Sequence, residues 1–347
     1  MMKQVNIALL GMGRIGKIHF NNITQHFSTA RITAVSDLQY DIALFQKQHN
    51  DIFFSDDAQE VISRTDVDAV LICTPTGSHA DLIERAIKGA KHVFCEKPMD
   101  LSLERTVSLS QMAEDAGVKL MLGFNRRFDP DFLAARKAVR EGKIGEVQIV
   151  KITSRDPGLP PVDYIKSSGG LFMDMAIHDF DMARYIMDKE VVEVFAKGLV
   201  LIDKEVGEAG DVDTALTTLI FADGTYAVID NSRKAIYGYD QRLEIFGTGG
   251  MIQVENNLHN RNVLYDGNGI HYSLPLDFFM DRYTKSYLKE MELFIDALTN
   301  DKPMPAGGKD GLEATLIAFA AKLSMETGRA VKLSEVAEAV KNESATA

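Results

Sequence analysis

The sequence predicts an α/β protein: a doubly wound parallel sheet comes first, followed by an α+β domain with an open, mainly antiparallel sheet. Over the first third of the chain, short apolar runs alternate with helix-length segments, which is typical of βαβ units. The glycine motif GMGRIG (11–16) joins the first strand to the first helix, as in ligand-binding sheets of this class. Farther along, alternating apolar runs are paired across turns, which indicates antiparallel hairpins.

The length of the chain indicates two domains. With 347 residues it exceeds what one ordinary hydrophobic core holds together. We expect the parallel-sheet domain over residues 1–123, the α+β domain over 124–335 and a polar tail over 336–347.

Composition and charge narrow the class of protein. Apolar residues make up 46% and charged residues 25% of the chain, as in ordinary globular proteins. The net charge of −12 disfavours binding to nucleic acids or anionic membranes, because phosphate contacts need clustered Lys and Arg. No apolar run is long enough to cross a bilayer. The two cysteines, Cys73 and Cys95, form no CxxC pair, so we expect no metal site and a reducing, cytoplasmic setting.

Each element of the first domain follows from its residue pattern. The expected strands are VNIALLG (5–11), ARITAVSD (30–37), DAVLICTP (68–75), KHVFCEKP (91–98) and KLMLGFN (119–125). Helical spacing of apolar residues marks RIGKIHFNNITQHF (14–27), HADLIERAIKGA (79–90) and SLERTVSLSQMAEDAG (102–117). Because helix-length segments separate these strands, we expect them to be parallel, with helices on both faces of the sheet.

The second domain begins with the helix PDFLAARKAVREGK (130–143), which carries a proline in its first turn. The expected strands are EVQIVKITSRD (146–156), VEVFAKGLVLI (192–202), the hairpin TALTTLIFADGTYAVIDNSR (214–233), QRLEIFGTGGMIQVEN (241–256) and VLYDGNGIHYSL (263–274). Further helices are expected at 170–187, 281–299 and 309–327. One sheet face should cover the 170–187 helix, and the other is a candidate subunit interface.

The glycine motif predicts a dinucleotide site. Gly11 permits a tight turn, Gly13 lets the backbone approach a pyrophosphate, and Gly16 lets the helix pack closely on the strand. The start of the helix, which includes Arg14 and Ile15, then faces the anionic phosphates. The motif follows a strand and opens a helix, so this interpretation is favoured over a generic glycine turn.

The end of the second strand indicates which dinucleotide is bound. Asp37 can accept hydrogen bonds from the adenosine ribose hydroxyls, and it would repel a 2′-phosphate. Leu38 and Gln39 supply no compensating cation. The sequence therefore favours NAD over NADP.

Two further strand ends carry candidate site residues. Ligands of doubly wound sheets bind outside the carboxyl ends of the strands, which places Thr74 and Pro75 near the nicotinamide side. His79 is expected to begin the following helix rather than to act in catalysis. In the CEKP step, Lys97 is placed to face a substrate, although a solvated strand-end lysine is the alternative. Its neighbour Glu96 could contact the cofactor or set the charge of the lysine. A cis Lys97–Pro98 bond is possible.

The segment GGLFMDMAIHDFDMARY (169–185) carries an acidic and a basic candidate four residues apart. On a helix, Asp174 and His178 share a face, and a carboxylate can orient an imidazole and stabilise its cation. From this segment alone, a structural ion pair and a catalytic pair both remain open.

Taken together, EKP after the glycine motif, GFNRRFDP (123–130) and the 169–185 segment resemble one known family. The chain is similar to the glucose–fructose oxidoreductase/inositol dehydrogenase (Gfo/Idh/MocA) superfamily, and SRDPGLPPVDY (154–164) points to its inositol branch. The resemblance implies an N-terminal Rossmann domain, a homotetramer and oxidation of myo-inositol to 2-keto-myo-inositol with NAD.

The same resemblance implies a catalytic trio of Lys97, Asp174 and His178, with the substrate in a cleft between the domains. His178 would take the alcohol proton, Asp174 would orient its ring, and Lys97 would stabilise charge on the reacting oxygen or join a proton relay. The division of proton transfer between Lys97 and His178 stays open. Arg126 maps to a position near both cofactor and substrate.

Other positions are candidate polyol contacts. The family pattern places Asp156, Tyr237 and Tyr283 there, while packing is the alternative for each tyrosine. Variation at Asp156 leaves the stereoisomer open: scyllo-inositol, D-chiro-inositol or a pyranose could replace myo-inositol. An alternative of another class is a non-catalytic, NAD-sensing regulator, which would need the glycine loop but not the trio.

Overall fold

The computed structural model describes residues 4–346, with side chains through residue 340, and the chain divides into two compact units. The first unit runs to Phe128 and also contains Lys285–Thr315. The second unit comprises Asp129–Thr284 and the chain from Leu316 onward. The boundary between the units lies at 128/129, five residues after the expected 123/124. The first unit also contains the Lys285–Thr315 segment, which the sequence did not predict for it.

The first unit is built on a parallel sheet of six strands in the order β3-β2-β1-β4-β5-β6. These strands are β1 (Val5–Leu10), β2 (Ala30–Ser36), β3 (Phe53–Ser55), β4 (Ala69–Ile72), β5 (His92–Cys95) and β6 (Leu120–Leu122). The intervening helices are α1 (Arg14–His26), α2 (Ile42–Gln48), α3 (Ala58–Ile62), α4 (His79–Lys88) and α5 (Leu103–Asp115). The predicted doubly wound parallel sheet is confirmed.

The second unit contains a seven-stranded sheet in the order β12-β11-β7-β10-β9-β8-β15. Its strands are β7 (Val147–Arg155), β8 (Val191–Leu199), β9 (Thr214–Phe221), β10 (Tyr226–Ser232), β11 (Asp240–Gly247), β12 (Gly250–Val254) and β15 (Val331–Lys332). All neighbours in this sheet are antiparallel except β7 and β10. The predicted open, mainly antiparallel sheet is confirmed, but the 263–274 run forms a separate ribbon of β13 (Val263–Asp266) and β14 (Gly269–Tyr272).

The remaining helices follow the order of the chain. They are α6 (Pro130–Arg140), α7 (Val162–Ser167), α8 (Ile177–Met187), α9 (Lys204–Glu208), α10 (Phe279–Arg282), α11 (Thr284–Thr299), α12 (Gly308–Thr327) and α13 (Leu333–Thr346). Among the helices that the structure describes, none is at once long and apolar enough to cross a membrane.

Helix α11 explains why the first unit takes up a distant part of the chain. The Tyr287 ring lies edge-on to His19 of α1, with centroids 5.8 Å apart. About two helical turns farther on, the Phe294 ring packs against the Phe94 ring of β5, with centroids 5.7 Å apart. These apolar positions on one helix face complete the core beside the parallel sheet. Spacing along the sequence could not show which sheet the helix would cover.

One face of the second sheet covers α8, as expected. Asn231 of β10 donates its side-chain amide to Asp179 of α8 at 2.9 Å, and both side chains are buried. The opposite face carries large apolar side chains that are exposed in the single chain. They are Phe195, Leu199, Leu216, Tyr226 and Phe246.

The expected polar tail is corrected by the structure. Residues through Thr346 continue helix α13, because Leu333 and Val336, three residues apart, are both buried on one face of it. The Glu335 carboxylate also accepts the Lys332 backbone N–H at 3.1 Å in the first turn.

Asp129 gives a test of how the second unit is held at its first helix. Its carboxylate accepts the N–H groups of Asp131 and Phe132 at the start of α6, at 3.0 and 3.2 Å, and pairs with buried Arg282. We expect Asp129→Ala to lower the free energy of unfolding by about 3 kcal/mol, because the Arg282 charge stays buried without its main partner. Half-exposed Asp131 is the control, and Asp131→Ala should cost less than about 1 kcal/mol. Equal urea midpoints for the two variants would contradict this expectation.

Candidate active site

The glycine motif has the geometry of a dinucleotide loop. Gly11 has a φ of +93°, and a Cβ added to it would lie 2.8 Å from the Cys73 carbonyl. A Cβ on Gly16 would lie 1.9 Å from the Gly11 oxygen, so the helix meets the strand there. Around Gly13, by contrast, no heavy atom of the described residues lies within 4 Å of an added Cβ. Open space at the helix start therefore admits a phosphate close to the backbone.

Asp37 lies at this loop, as the sequence predicts. One carboxylate oxygen accepts the Met12 N–H at 2.6 Å, and the other accepts the N–H groups of Gln39 and Tyr40 at 2.7 and 2.9 Å. These bonds hold the carboxylate rigidly beside the glycine loop. Leu38, by contrast, is 86% exposed.

The ends of β4 and β5 are joined through His79. Its ring is buried, with Nδ1 at 2.7 Å from the Pro98 carbonyl oxygen and Nε2 at 2.8 Å from the Thr74 carbonyl oxygen. His79 therefore connects the Thr74 and Lys97 segments, in agreement with the predicted structural role. The Lys97–Pro98 peptide bond is cis. Pro75 lies exposed at the same edge.

Glu96 and Arg126 occupy the remaining first-unit positions. Glu96 contacts His19, whose Nε2 lies 3.0 Å from a Glu96 carboxylate oxygen. Arg126 lies in a short 3₁₀ turn, Asn125–Phe128, and is buried in this unit. The contact with His19 was missed because nothing in the sequence marks a histidine in the middle of α1.

In the second unit, two glycines and an aspartate start the helix that carries the acidic and basic candidates. Gly169 and Gly170 both have a positive φ, at +85° and +81°. Asp211 accepts the Leu171 N–H at 2.9 Å, and a Cβ on Gly170 would lie 2.7 Å from the same carboxylate oxygen. The GG pair thus makes room for a capping carboxylate.

Asp174 lies in a π-helical turn, Phe172–Ala176, immediately before α8. The expected α-helical spacing between Asp174 and His178 is therefore corrected, because i→i+5 bonding widens this turn and rotates the residues that follow it. His178 is the second residue of α8. Turns of this kind are frequent at functional sites.

The Asp174 carboxylate is held by two donors from other elements. The Tyr164 hydroxyl donates to Oδ1 at 2.7 Å, and the Arg233 guanidinium donates to Oδ2 at 3.2 Å. Arg233 is 1% exposed and also pairs with Asp211 at 3.4 Å. Burial and the Asp174 charge raise the pKa of Tyr164 well above its usual value, so this hydroxyl remains a donor at neutral pH.

The candidate polyol contacts differ in their surroundings. Asp156 is half-buried after β7, and its charge adds a small part to the raised pKa of Tyr164, after burial and the Asp174 charge. The Tyr237 hydroxyl donates to Asp240 at 2.6 Å and accepts from Arg155 at 3.1 Å. Tyr283 is 1% exposed within the second unit. Substrate contact by the two tyrosines stays a prediction.

Within each unit, the structure brings several predicted residues together. In the first unit, the glycine loop, Asp37, Thr74 and Glu96–Lys97 all lie at the carboxyl ends of parallel strands. In the second, Asp174 and Asp156 share the surroundings of Tyr164. Sequence reasoning missed Tyr164, Asp211 and Arg233. Tyr164 ends the SRDPGLPPVDY segment, but the other two lie in loops that carry no motif.

Comparison with known proteins defines the class of this protein. Residues 5–124 match the oxidoreductase family with an NAD-binding Rossmann fold, and residues 132–253 match the GFO/IDH/MocA C-terminal domain. The chain belongs to the Gfo/Idh/MocA oxidoreductase family and is an NAD-dependent oxidoreductase. The family, the fold class and the cofactor predicted from the sequence are confirmed.

Individual relatives extend over nearly the whole chain. A myo-inositol 2-dehydrogenase of Thermotoga maritima is 47% identical over 333 residues, which are 96% of this chain and 99% of that protein. The crystal structure of a probable dehydrogenase from Thermotoga maritima has a TM-score of 0.93 at 46% identity, covering 96% of this chain and 100% of that one. A scyllo-inositol dehydrogenase from Lactobacillus casei, solved with NAD(H) and scyllo-inositol, has a TM-score of 0.88 at 31% identity, covering 96% and 100%.

Gly11 tests the dinucleotide loop. We expect Gly11→Ala to weaken NAD binding at least about tenfold, because the added Cβ meets the Cys73 backbone and the positive φ is strained. Calorimetric titration with NAD measures the effect. The control is Gly77→Ala, because no heavy atom of the described residues lies within 4 Å of a Cβ added there. NAD affinity equal to that of the control would refute the role of the loop.

Arg233 tests how Asp174 is held. Arg233→Met should lower kcat with the alcohol substrate at least about tenfold, since it removes a buried cation from two carboxylates. Tyr164→Phe, which removes one hydrogen bond, should have a smaller effect. Arg329→Met is the control, because this half-exposed arginine pairs with Glu335 instead. A kcat for Arg233→Met that matches the control would contradict the assignment.

Proposed function

We propose that this protein oxidises myo-inositol to 2-keto-myo-inositol with NAD. The observation that carries the proposal is the Asp174 carboxylate, held by Tyr164 and Arg233 at the start of the helix that contains His178. It lies in a chain that is 47% identical to a myo-inositol 2-dehydrogenase. The first unit binds the cofactor and the second supplies most of the substrate contacts.

The residues of the first unit fit NAD. The open backbone at Gly13 and the start of α1 suit the pyrophosphate. The fixed carboxylate of Asp37 suits the ribose hydroxyls. Arg14, Ile15, Thr74 and Pro75 complete the cofactor contacts, with Glu96, Lys97 and Arg126. When bound, NAD accepts the hydride that the alcohol carbon gives up.

Three side chains act on the alcohol in this proposal. His178 takes the hydroxyl proton, because imidazole exchanges protons near neutral pH. Asp174 orients the imidazole and stabilises its cation, and Arg233 and Tyr164 hold this carboxylate in place. The Lys97 ammonium stabilises the negative charge that develops on the reacting oxygen.

Substrate contacts follow from the same surfaces. Asp156 lies near Tyr164 and Asp174, which supports hydrogen bonds from Asp156 to ring hydroxyls. Arg126, Tyr237 and Tyr283 are proposed as further polyol contacts. A cyclic polyol offers many hydroxyl donors, and half-buried carboxylates such as Asp156 are suitable acceptors for them.

We further propose a homotetramer in a reducing cytoplasm. The apolar side chains on the outer sheet face, among them Phe195, Leu216 and Tyr226, support burial against another subunit. Both cysteines are free thiols, in keeping with a reducing compartment. Light scattering coupled to size exclusion gives the subunit number directly.

The experiment for the proposed activity follows NADH absorbance with myo-inositol, scyllo-inositol, D-chiro-inositol and glucose, each with NAD and with NADP. We expect the highest kcat/KM with myo-inositol and NAD. Lys97→Ala should lower kcat at least about a hundredfold, with a much smaller change in NAD affinity, because the ammonium stabilises a charge that develops only as the alcohol reacts. The control Lys88→Ala changes an exposed lysine of α4 and should match wild type.

Other outcomes assign different functions. Preference for another polyol or for glucose would keep the mechanism and change the substrate. NAD binding without turnover of any of the four compounds would refute the proposed oxidation and favour the NAD-sensing regulator.

A further inference from the structure

A cluster of three titratable side chains is buried in the first unit. His19 of α1, Glu96 after β5 and Glu290 of α11 each bring a nitrogen or oxygen atom within 4.8 Å of the others. The side chains of His19 and Glu290 are fully buried, and that of Glu96 is 16% exposed. The proposed oxidation assigns no role to His19 or Glu290.

The Glu96 carboxylate contacts His19 on one side and lies against the backbone at Gly123 on the other. His19 Nε2 lies 3.0 Å from Oε1, and because a carboxylate only accepts, the ring donates its proton at Nε2. On the other side, a Cβ added to Gly123 would lie 2.7 Å from Oε2. Glycine at this position therefore leaves the carboxylate its space.

Glu290 is buried in an unusual environment for an acid. Among residues 4–340, none donates a hydrogen bond to either of its carboxylate oxygens, and an ionised carboxylate without donors is costly to bury. Burial raises the pKa of Glu290 well above its usual value, and the like charge of Glu96 raises it further. A protonated carboxyl group has an O–H that can donate, and Glu96 is an acceptor in the same cluster.

We propose that Glu290 is protonated at neutral pH and donates its O–H to Glu96, so that His19, Glu96 and Glu290 form one buried hydrogen-bonded unit. The pair of acids then carries one negative charge instead of two. In this unit both donors bond to Glu96, the residue next to Lys97. Glu290 and His19 are therefore positioning residues for the Glu96–Lys97 step. Only this kinetic consequence rests on the proposed function.

The neighbouring titratable groups do not replace Glu290 as the proton carrier. Cys73 at the end of β4 and Cys95 of β5 lie in the field of the cluster, and burial raises the pKa of both thiols well above the usual value. They are therefore neutral at working pH. The Tyr287 side chain of α11 contacts His19 through its ring, edge-on with centroids 5.8 Å apart. The two carboxyl groups and the imidazole remain to share the proton.

Infrared spectroscopy tests the protonation without any need for activity. Wild-type protein at neutral pH should show the carbonyl stretch of a protonated carboxylic acid, and Glu290→Gln should lack it. Glu292→Gln is the matched control, since Glu292 is half-exposed on the same helix and pairs with Lys289, and it should keep the band. A wild-type protein without the band, or a Glu290→Gln variant that retains it, would overturn the proposal.

The pH dependence of stability supplies a second test. In the unfolded chain Glu290 loses its proton above about pH 4.3, while in the folded protein it keeps it. Wild type therefore loses stability relative to Glu290→Gln as the pH rises from this value toward the raised pKa. The difference in Tm between the two proteins should grow with pH in favour of Glu290→Gln. The Tm values of wild type and Glu290→Gln should diverge over about pH 5 to pH 8. A Tm difference that stays constant over this range contradicts the proposal.

Kinetics test the positioning role. Glu290→Gln keeps a neutral donor of the same shape, so kcat should stay within about threefold of wild type, whereas Glu290→Leu should lower kcat at least about tenfold with a smaller change in the KM for NAD. Equal losses in the two variants would refute a role for the donor. The remaining possibility is a metal ion bound by His19, Glu96 and Glu290, and metal analysis after dialysis against a chelator tests it. One equivalent of divalent metal in wild type, absent from Glu290→Gln, would put a metal ion in place of the shared proton and overturn the proposal.

Discussion

The N-terminal helix starts so close to the first strand that a Cβ on Gly16 would lie 1.9 Å from the Gly11 oxygen. This contact holds the start of α1 at the carboxyl edge of the parallel sheet, where the positive end of the helix dipole suits an anion. The other first-unit candidates come to the same edge because every strand of the sheet points the same way. At this edge the Asp37 carboxylate accepts the Met12 N–H of the glycine loop.

Two carboxyl groups lie in opposite surroundings. Asp174 has two donors, the buried guanidinium of Arg233 and the Tyr164 hydroxyl. Glu290 is fully buried without a donor among residues 4–340, and this burial raises its pKa, with the like charge of Glu96 adding to the effect. The first environment holds a carboxylate in place at the start of the helix that carries His178. In the second, a neutral acid supplies a hydrogen bond where a second anion would repel.

Asp211 links local backbone geometry to the chemistry of the second unit. It accepts the Leu171 N–H at the start of the helix and also pairs with Arg233, which holds Asp174. The left-handed glycines, the helix cap and the acidic candidate are thus parts of one connected group. A substitution at Asp211 would therefore change how Asp174 is held, because Arg233 pairs with both carboxylates.

The sequence by itself determined the fold class, a doubly wound parallel sheet followed by a mainly antiparallel one, together with the glycine loop, the EKP step and the family, because these signals are local in the chain. It also predicts roles for Asp174 and His178, but it treated their helix as regular. Only the tertiary structure decided that a π-helical turn carries Asp174, that helix α11 belongs to the first unit, that residues 336–346 are helical and that β7 pairs with β10 in parallel. Arg233 and Glu290 lie far along the chain from Asp174 and Glu96, and Tyr164 lies in a different helix from Asp174. Their roles depend on which surfaces meet during folding, and no spacing rule within a segment contains that information.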